Sequence, residues 1–255
     1  MSGRVKSTII VLVLGCLGIT AQAQQRSSAN TQAEISFVWG YAQGAFGDNL
    51  DRPLPGVLFS IGGKTPNLPL VLSTEFGWLS YGFDDRLELL FPDTSTRPST
   101  SFFSVNTRNS IMTAHLVTRL VPSEGAVEPF VDGLVGFKYI VSNIDVESQA
   151  LLNNDNGNLI IIGDNRIQSS SAFDALAVSY GIGAGVNIQV FDGDFGVQNS
   201  QTTISLHLGV RYLLGSKADY LTENSISPST DGIRFERVES YNDMLISALG
   251  FKVEF

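Results

Sequence analysis

Apolar and polar residues alternate with a period of two along much of the chain, which is the pattern of a β-strand whose faces meet different surroundings. The stretch 176–190 shows this alternation most clearly. Its apolar row comprises Leu176, Val178, Tyr180, Ile182, Ala184, Val186, Ile188 and Val190. The residues between them are small or polar and include three alternate glycines, each of which would destabilise a helix by about 1 kcal/mol. The stretch is therefore predicted to be a strand.

The same alternation predicts eight strands, at about 34–43, 56–64, 69–81, 108–121, 129–142, 172–190, 202–214 and 242–255. Charged residues fall on the rows opposite the apolar ones: Glu34, Lys64, Glu75, Arg119, Asp132, Lys138, Arg211, Lys252 and Glu254. A lysine or arginine that faces lipid at mid-bilayer costs ~2–4 kcal/mol, so a lipid-facing row excludes it. We therefore predict that the apolar rows face lipid and the charged rows face a barrel interior. A soluble sandwich would show the reverse.

The segments between the predicted strands alternate in length. Short ones at 65–68, 122–128 and 191–201 separate long ones at 44–55, 82–107, 143–171 and 215–241. This asymmetry is typical of outer-membrane barrels, whose short turns are periplasmic. The predicted fold is all-β: an eight-stranded antiparallel up-and-down transmembrane β-barrel with short periplasmic turns and long extracellular loops. Ten strands would result if 82–107 or 215–241 paired further, and a soluble lipocalin-like barrel is the rival fold.

The N-terminus has the three parts of a secretory signal peptide. Arg4 and Lys6 precede an apolar run, and Ala21-Gln22-Ala23 resembles a cleavage site, so we predict a signal peptide at 1–23. The run is shorter than the ~20 residues of a membrane anchor. Lipidation at Cys16 would require cleavage after Val13-Leu14-Gly15, which the bulky Leu14 fits poorly. The remaining chain divides into a short segment, 24–33, and the barrel, 34–255.

Charge and cysteine content exclude several functions. The chain has 16 basic and 25 acidic residues, and loss of Arg4 and Lys6 makes the mature chain more acidic, which argues against nucleic-acid binding. Cleavage also removes the only cysteine. Two histidines without a cysteine are too few for a typical zinc site. Neither a metal nor another cofactor is expected.

The C-terminal strand carries a pattern of its own. Leu249, Phe251, Val253 and Phe255 alternate with other residues, and Phe255 is the last residue of the sequence. With the segment 128–139 and the glycine-alternating strand, this pattern resembles the superfamily of small OmpA- or OmpX-like, porin-like outer-membrane barrels of Gram-negative bacteria. The resemblance implies export to the outer membrane, contact with its lipid and lipopolysaccharide, and assembly by the barrel assembly machinery. Phe251, Val253 and Phe255 would be the assembly signal. No catalytic motif carries over.

The inward charges suggest a salt-bridge network that fills the interior, because unpaired charges there would be costly. The candidate residues are Glu75, Lys138, Arg211, Arg119, Asp132, Lys252 and Glu254. Such a network would be either a static plug or a gate whose ion pairs rearrange to pass small solutes. Eight strands leave room for little more than side chains, so a wide pore is not expected.

Other polar features are weaker. Ser205 and His207 share a face, but two residues along a strand are ~6.6 Å apart, too far for a nucleophile and its base. The segments 192–196 and 153–158 resemble calcium loops without their spacing, so we interpret them as turns. The apolar pieces 87–91 and 159–162 either extend strands as hairpins or present an edge to a partner.

Three functions remain open. The first is a structural or surface-interaction barrel with an unknown extracellular ligand. The second is a narrow porin-like channel for ions or small solutes. The third, a lipid-modifying enzyme, lacks a recognisable Ser/His/acid set, so the chain is not expected to be an enzyme.

Overall fold

The computed structural model describes most of the chain after its N-terminal region. The described residues are 31–50, 52–66, 68–90, 99–123, 125–153, 159–161, 169–194, 201–222, 225–229 and 232–255. The predicted signal peptide therefore lies outside the described residues.

Strands dominate the secondary structure. The elements are β1 (Thr31–Ala42), α1 (Gly44–Asn49), β2 (Leu54–Lys64), β3 (Leu70–Leu90), β4 (Ser99–Leu120), β5 (Val127–Asn153), β6 (Leu159–Ile161), β7 (Ser169–Asp194), β8 (Gln201–Gly215), β9 (Lys217–Tyr220), β10 (Ile226–Ser229), β11 (Gly232–Phe235), β12 (Val238–Tyr241) and β13 (Met244–Glu254). In the described part of the chain, no helix has the length and hydropathy to cross a bilayer.

Eight of the strands close into an antiparallel barrel. Their order is β4-β3-β2-β1-β13-β8-β7-β5, and β5 pairs back with β4. A path across paired residues runs from Ala42 through Met244, Leu213, Gly181, Leu134, Val117, Ser73 and Gly62 to Gln32. The path returns to β1 ten residues from its start. This shear implies a strand tilt of roughly 40° and a backbone radius of about 8 Å. The predicted fold is therefore confirmed.

The four long strands are consecutive neighbours. β3, β4, β5 and β7 have 21 to 27 residues, whereas β1, β2, β8 and β13 have 11 to 15. A tilted strand needs only ~9–11 residues to cross a bilayer. The four long strands therefore continue beyond the barrel as a sheet at the end with the long connections, here called the loop end. The opposite end, with the connections 65–69, 121–126 and 195–200, is called the turn end.

The predicted loops at 82–107 and 143–171 were too long. β3 continues to Leu90 and β4 begins at Ser99, while β5 continues to Asn153. The interpretation of 87–91 and 159–162 as strand extensions holds for 87–90 and for β6, which pairs with β5. Phe91 and Ile162 lie outside the described residues. The segment after β8 pairs as two small hairpins, β9–β12 and β10–β11, outside the barrel, so the barrel has eight strands rather than ten.

The outer surface of the barrel is apolar. The exposed outward residues include Ile35, Phe37, Leu72, Leu116, Val135, Ile182, Val210 and Phe251. Val186 pairs with Leu208 on this row, and Leu206 pairs with Ile188, as predicted. Three charges also fall on the apolar rows of the predicted spans, contrary to strict sorting: Arg108, Asp174 and Asp243. Arg108 and Asp174 are exposed, and both lie toward the loop end of their strands, beyond the apolar surface.

The interior is packed like the core of a soluble protein. Half of it is apolar, which the sorting of charges did not predict: the buried inward residues include Val38, Leu54, Leu58, Leu79, Ile111, Val117, Leu134, Ile140, Leu213 and Ile246. The glycine row of β7 makes room for large side chains. A Cβ at Gly183 would lie 2.6 Å from Cγ of Arg211, and one at Gly185 would collide with the ring of Phe130. A closed barrel of this radius must fill its lumen at close-packed density.

Candidate functional site: the filled lumen and the loop end

An ion cluster occupies the half of the lumen near the turn end. It consists of Glu34, Glu75, Arg119, Asp132, Arg211 and His207, all of which are buried. Asp132 accepts hydrogen bonds at 2.8 Å and 3.1 Å from Nε and Nη2 of Arg119, and one at 3.1 Å from Nη2 of Arg211. One carboxylate therefore joins both guanidinium groups.

The outer members of the cluster complete these contacts. Nη1 of Arg119 donates to Oε2 of Glu34 at 2.8 Å, and Nη1 of Arg211 donates to Oε2 of Glu75. His207 Nε2 lies 3.2 Å from Oε1 of Glu34. The six residues come from β1, β3, β4, β5 and β8, so the cluster links five of the eight strands across the lumen.

An aromatic residue covers the cluster toward the turn end. The guanidinium carbon of Arg119 lies 4.1 Å from the ring centre of Phe130, which is stacked on His207 with centroids 5.1 Å apart. Phe130 packs in turn with Val71 and Val121 in a small apolar cluster. The ion cluster therefore lies between this small apolar cluster and the apolar residues that fill the lumen near the loop end.

Three predicted members of the network, Lys138, Lys252 and Glu254, lie outside this cluster. Lys252 is buried near the turn end and pairs with Glu128 at 2.7 Å and Glu254 at 3.0 Å. Lys138 is fully buried, but its Nζ donates at 2.6 Å to the main-chain oxygen of Asn242. Lys138 is six residues from Asp132 on β5, and six residues along a strand span ~20 Å, which places it in the other half of the lumen.

Glu34 and His207 belong to the cluster, although neither was among the predicted candidate residues of the network. Both are on inward rows, so the period-two pattern contained the signal that they face the interior. The pattern did not show which inward charges lie at the same height along the barrel axis, because that height depends on the stagger between paired strands. The shear of the barrel supplies that stagger.

An apolar plug fills the half of the lumen near the loop end. Its buried residues include Val38, Leu54, Leu79, Ile111, Ile140, Leu213, Met244 and Ile246. A cap formed by α1 and the β9–β12 hairpin closes it. Phe46 of α1 is fully buried and meets Tyr220 of β9 edge-on, with ring centroids 4.9 Å apart. Tyr220 also shares a hydrogen bond with Ser240 of β12 and accepts one from Asn49.

The two histidines have structural partners. Both ring nitrogens of His207 face other side chains: Nδ1 donates to Asn187 at 2.9 Å, and Nε2 faces Glu34. His115 shares a 3.0 Å hydrogen bond with Ser179, and both residues are buried in the lumen. Among the described residues, no group of three or more His, Cys, Asp or Glu is placed to hold a metal ion.

The surface polarity of the barrel is the reverse of that of a soluble protein. Large apolar side chains are exposed on its outside, while carboxylates and guanidinium groups are buried inside. Only a surrounding apolar solvent stabilises this arrangement, and a closed sheet satisfies its own backbone hydrogen bonds in such a solvent. The chain folds as a closed eight-stranded transmembrane β-barrel.

Solved structures with a similar architecture are distant. The attachment invasion locus protein Ail of Yersinia pestis, solved with the heparin analogue sucrose octasulfate, has 11% identity and a TM-score of 0.43, covering 90% of this chain and 100% of that one. Neisserial surface protein A has 10% identity and a TM-score of 0.38, covering 89% and 96%. A major outer-membrane protein of Thermus thermophilus has 13% identity and a TM-score of 0.41, covering 90% and 100%.

These similarities are too low to transfer a function. No protein-family model matches the chain, and no curated protein matches it in sequence. The function must therefore be argued from the residues of this chain.

Proposed function

We propose that this protein is an integral outer-membrane barrel with a statically filled lumen, which acts through the surface it presents outside the cell. The turn end would face the periplasm, because outer-membrane barrels have their short connections on that side. The loop end, with its four-stranded extension, would then lie outside the cell. Its surroundings would be outer-membrane lipid and lipopolysaccharide.

The filled lumen is the observation that carries this proposal. A solute passing through would have to displace the cap, then the apolar plug and then the ion cluster. The plug is packed with buried apolar side chains, which cannot replace the hydration of an ion, and the cluster is fixed by ion pairs from five strands. Removal of one partner from a buried pair typically costs 3–5 kcal/mol. The interior is therefore better suited to stability than to gating.

The extended sheet is the natural surface for an interaction. β3 pairs with β2 only as far as Leu79, whereas it pairs with β4 as far as Leu90. In the described pairings, the outer part of β3 therefore has a neighbour on one side only. An edge of this kind presents backbone donors and acceptors to an extended segment of a partner.

Two measurements on the purified full-length product test the proposal. The protein should fractionate with outer membranes and migrate differently on gels before and after boiling. In planar bilayers it should give no reproducible conductance steps, with a large porin as the positive control. Regular conductance steps would show that the lumen opens and would favour the channel function. Recovery as a free periplasmic protein would contradict membrane insertion.

A further inference from the structure

A cleft lies at the loop end of the barrel wall, outside the capped lumen. It has a volume of about 440 Å³, which is within the range of small-molecule sites. It is open to solvent and lies between the end of β1, helix α1 and the start of β2. Its lining includes Tyr41, Gln43, Asp48, Leu50 and Arg52.

The walls of the cleft are anchored. The backbone nitrogen of Gln43 donates to the oxygen of Asp243 at 2.9 Å, and its side chain donates to the oxygen of Tyr41 at 3.2 Å. Below them, α1 is held by the buried Phe46 and by Asn49, which donates to Tyr220 at 3.0 Å. The cleft is therefore built on the cap and needs no rearrangement to exist.

The side chains of the cleft fit one type of ligand. Tyr41 lines the cleft from the outward row of β1 and is 43% exposed, so part of its aromatic side chain is accessible to a ligand. Gln43, Asp48 and Arg52 add hydrogen-bond donors and acceptors. A pyranose ring matches both features, because its C–H face packs on an aromatic ring and each hydroxyl group both donates and accepts.

The charges of the cleft oppose an anionic ligand. Arg52 and Asp48 have opposite charges, so together they add no net charge. A phosphate or sulfate group would gain from the guanidinium group but be repelled by the nearby carboxylate. A neutral sugar interacts favourably with both groups and suffers no such repulsion.

We propose that this cleft binds a neutral saccharide at the surface of the membrane. Tyr41 follows the lipid-facing residues Phe37 and Trp39 on the same row of β1, so the cleft lies where the apolar surface ends. The sugar could belong to a membrane glycolipid or to a free glycan, since both present the same ring. This inference rests on the proposed function only in taking the loop end to face outward.

The test uses the folded full-length barrel in nanodiscs. The free probes are maltotriose, cellotriose and chitotriose, and the lipid-linked probe is digalactosyl diacylglycerol in the disc, compared with discs of phosphatidylcholine alone. Binding is followed by calorimetry for the free sugars and by shifts in the tyrosine NMR signals for the lipid. We expect saturable binding of at least one probe, and which arm responds identifies the source of the sugar.

Variants locate the site. Tyr41→Ala and Asp48→Asn should each weaken binding at least tenfold. Tyr241→Ala removes another exposed aromatic at the loop end that does not line the cleft, and it should leave binding unchanged. Each variant is first checked for the gel shift of a folded barrel.

Three results would overturn the inference: no saturable binding of any probe, equal loss in Tyr241→Ala, or displacement of the sugar by inorganic phosphate. A barrel that shifts on heating and fractionates with the outer membrane, yet binds no saccharide, would contradict this inference alone. A protein that fails the shift and the fractionation would contradict the proposed function instead.

Discussion

Asp132 is the residue on which the ion cluster depends. It accepts hydrogen bonds from both Arg119 and Arg211, and Arg119 also reaches Glu34. Each guanidinium group thus has two carboxylate partners, which offsets the desolvation that burial imposes on all of them. Such clusters are sensitive to the loss of one member because the remaining charges cannot move to water.

Replacement of Arg119 with Met should destabilise the barrel by about 3–5 kcal/mol, because it leaves Glu34 and Asp132 buried with fewer partners. The midpoint of urea unfolding in lipid vesicles measures the effect. A second variant, Arg119→Met with Glu34→Gln, should recover part of the loss, since it removes the carboxylate that has lost its guanidinium partner. Lys217→Gln is the control, because Lys217 is exposed and lies 3.7 Å from an exposed Glu239. An unchanged midpoint for Arg119→Met would show that the cluster contributes little.

At the residue scale, sequence predicted which side chains turn inward better than it predicted their partners. Arg119, Asp132 and Arg211 are on inward rows in both the prediction and the structure. Lys138 is also on an inward row, yet it lies apart from them, because its position along β5 places it at a different height along the barrel axis. The period of two shows which face of a strand a residue is on. Its height along the barrel axis depends on pairing between strands that are distant in sequence.

At the scale of the elements, each barrel strand has one lipid-facing row and one interior row. The interior row changes character along the barrel: the ion cluster lies toward the turn end, and most of the large buried apolar side chains lie toward the loop end. Sequence located all eight strands because lipid excludes charge from one row. It ended β3 and β5 too early and began β4 and β7 too late, because beyond the membrane polar residues are tolerated on both faces and alternation no longer marks a strand.

A lysine introduced on the outward row should destabilise the barrel according to its depth in the membrane. Ile182→Lys places a charge where the native side chain is 71% exposed to lipid, and should cost ~2–4 kcal/mol. Asn143→Lys lies on the same barrel face but beyond the apolar surface, paired with Arg108, and should cost about 0–1 kcal/mol.

Refolding into vesicles at several urea concentrations measures both values. Equal costs at the two positions would show that Ile182 does not face hydrocarbon, and would remove the basis for a transmembrane barrel.

At the scale of the whole molecule, closure joins the two ends of the described chain. Thr31 and Phe255 exchange two backbone hydrogen bonds of 2.9 Å, which complete the seam between β1 and β13. The ion cluster crosses the same interior from Glu34 of β1 to His207 of β8. The overall fold was predictable because eight short strands with one apolar row each can satisfy their backbone hydrogen bonds in lipid only by closing into one barrel. The cap was not, because α1 and the β9–β12 hairpin lie in segments without alternation.

We propose that the outward residues Phe251, Val253 and Phe255 act as the signal for the barrel assembly machinery. Phe255→Ser should reduce the fraction of newly made protein that shows the heat-dependent gel shift several minutes after a pulse of synthesis. The stability of the finished barrel should change little, because Phe255 is exposed at the end of the seam. Ser247→Ala, on the same row of β13, is the control. Normal assembly of Phe255→Ser would contradict the role of the terminal phenylalanine.

The four long strands lie side by side, so the molecule has a front and a back when viewed from the loop end. On one side the four long strands extend away from the membrane. On the other side the short strands end at the cap, which forms a lower platform. Large molecules reach the platform freely from its own side but are screened from the other. A molecule that binds to the platform therefore docks away from the barrel axis and in a preferred orientation, which is set by the position of the four extended strands.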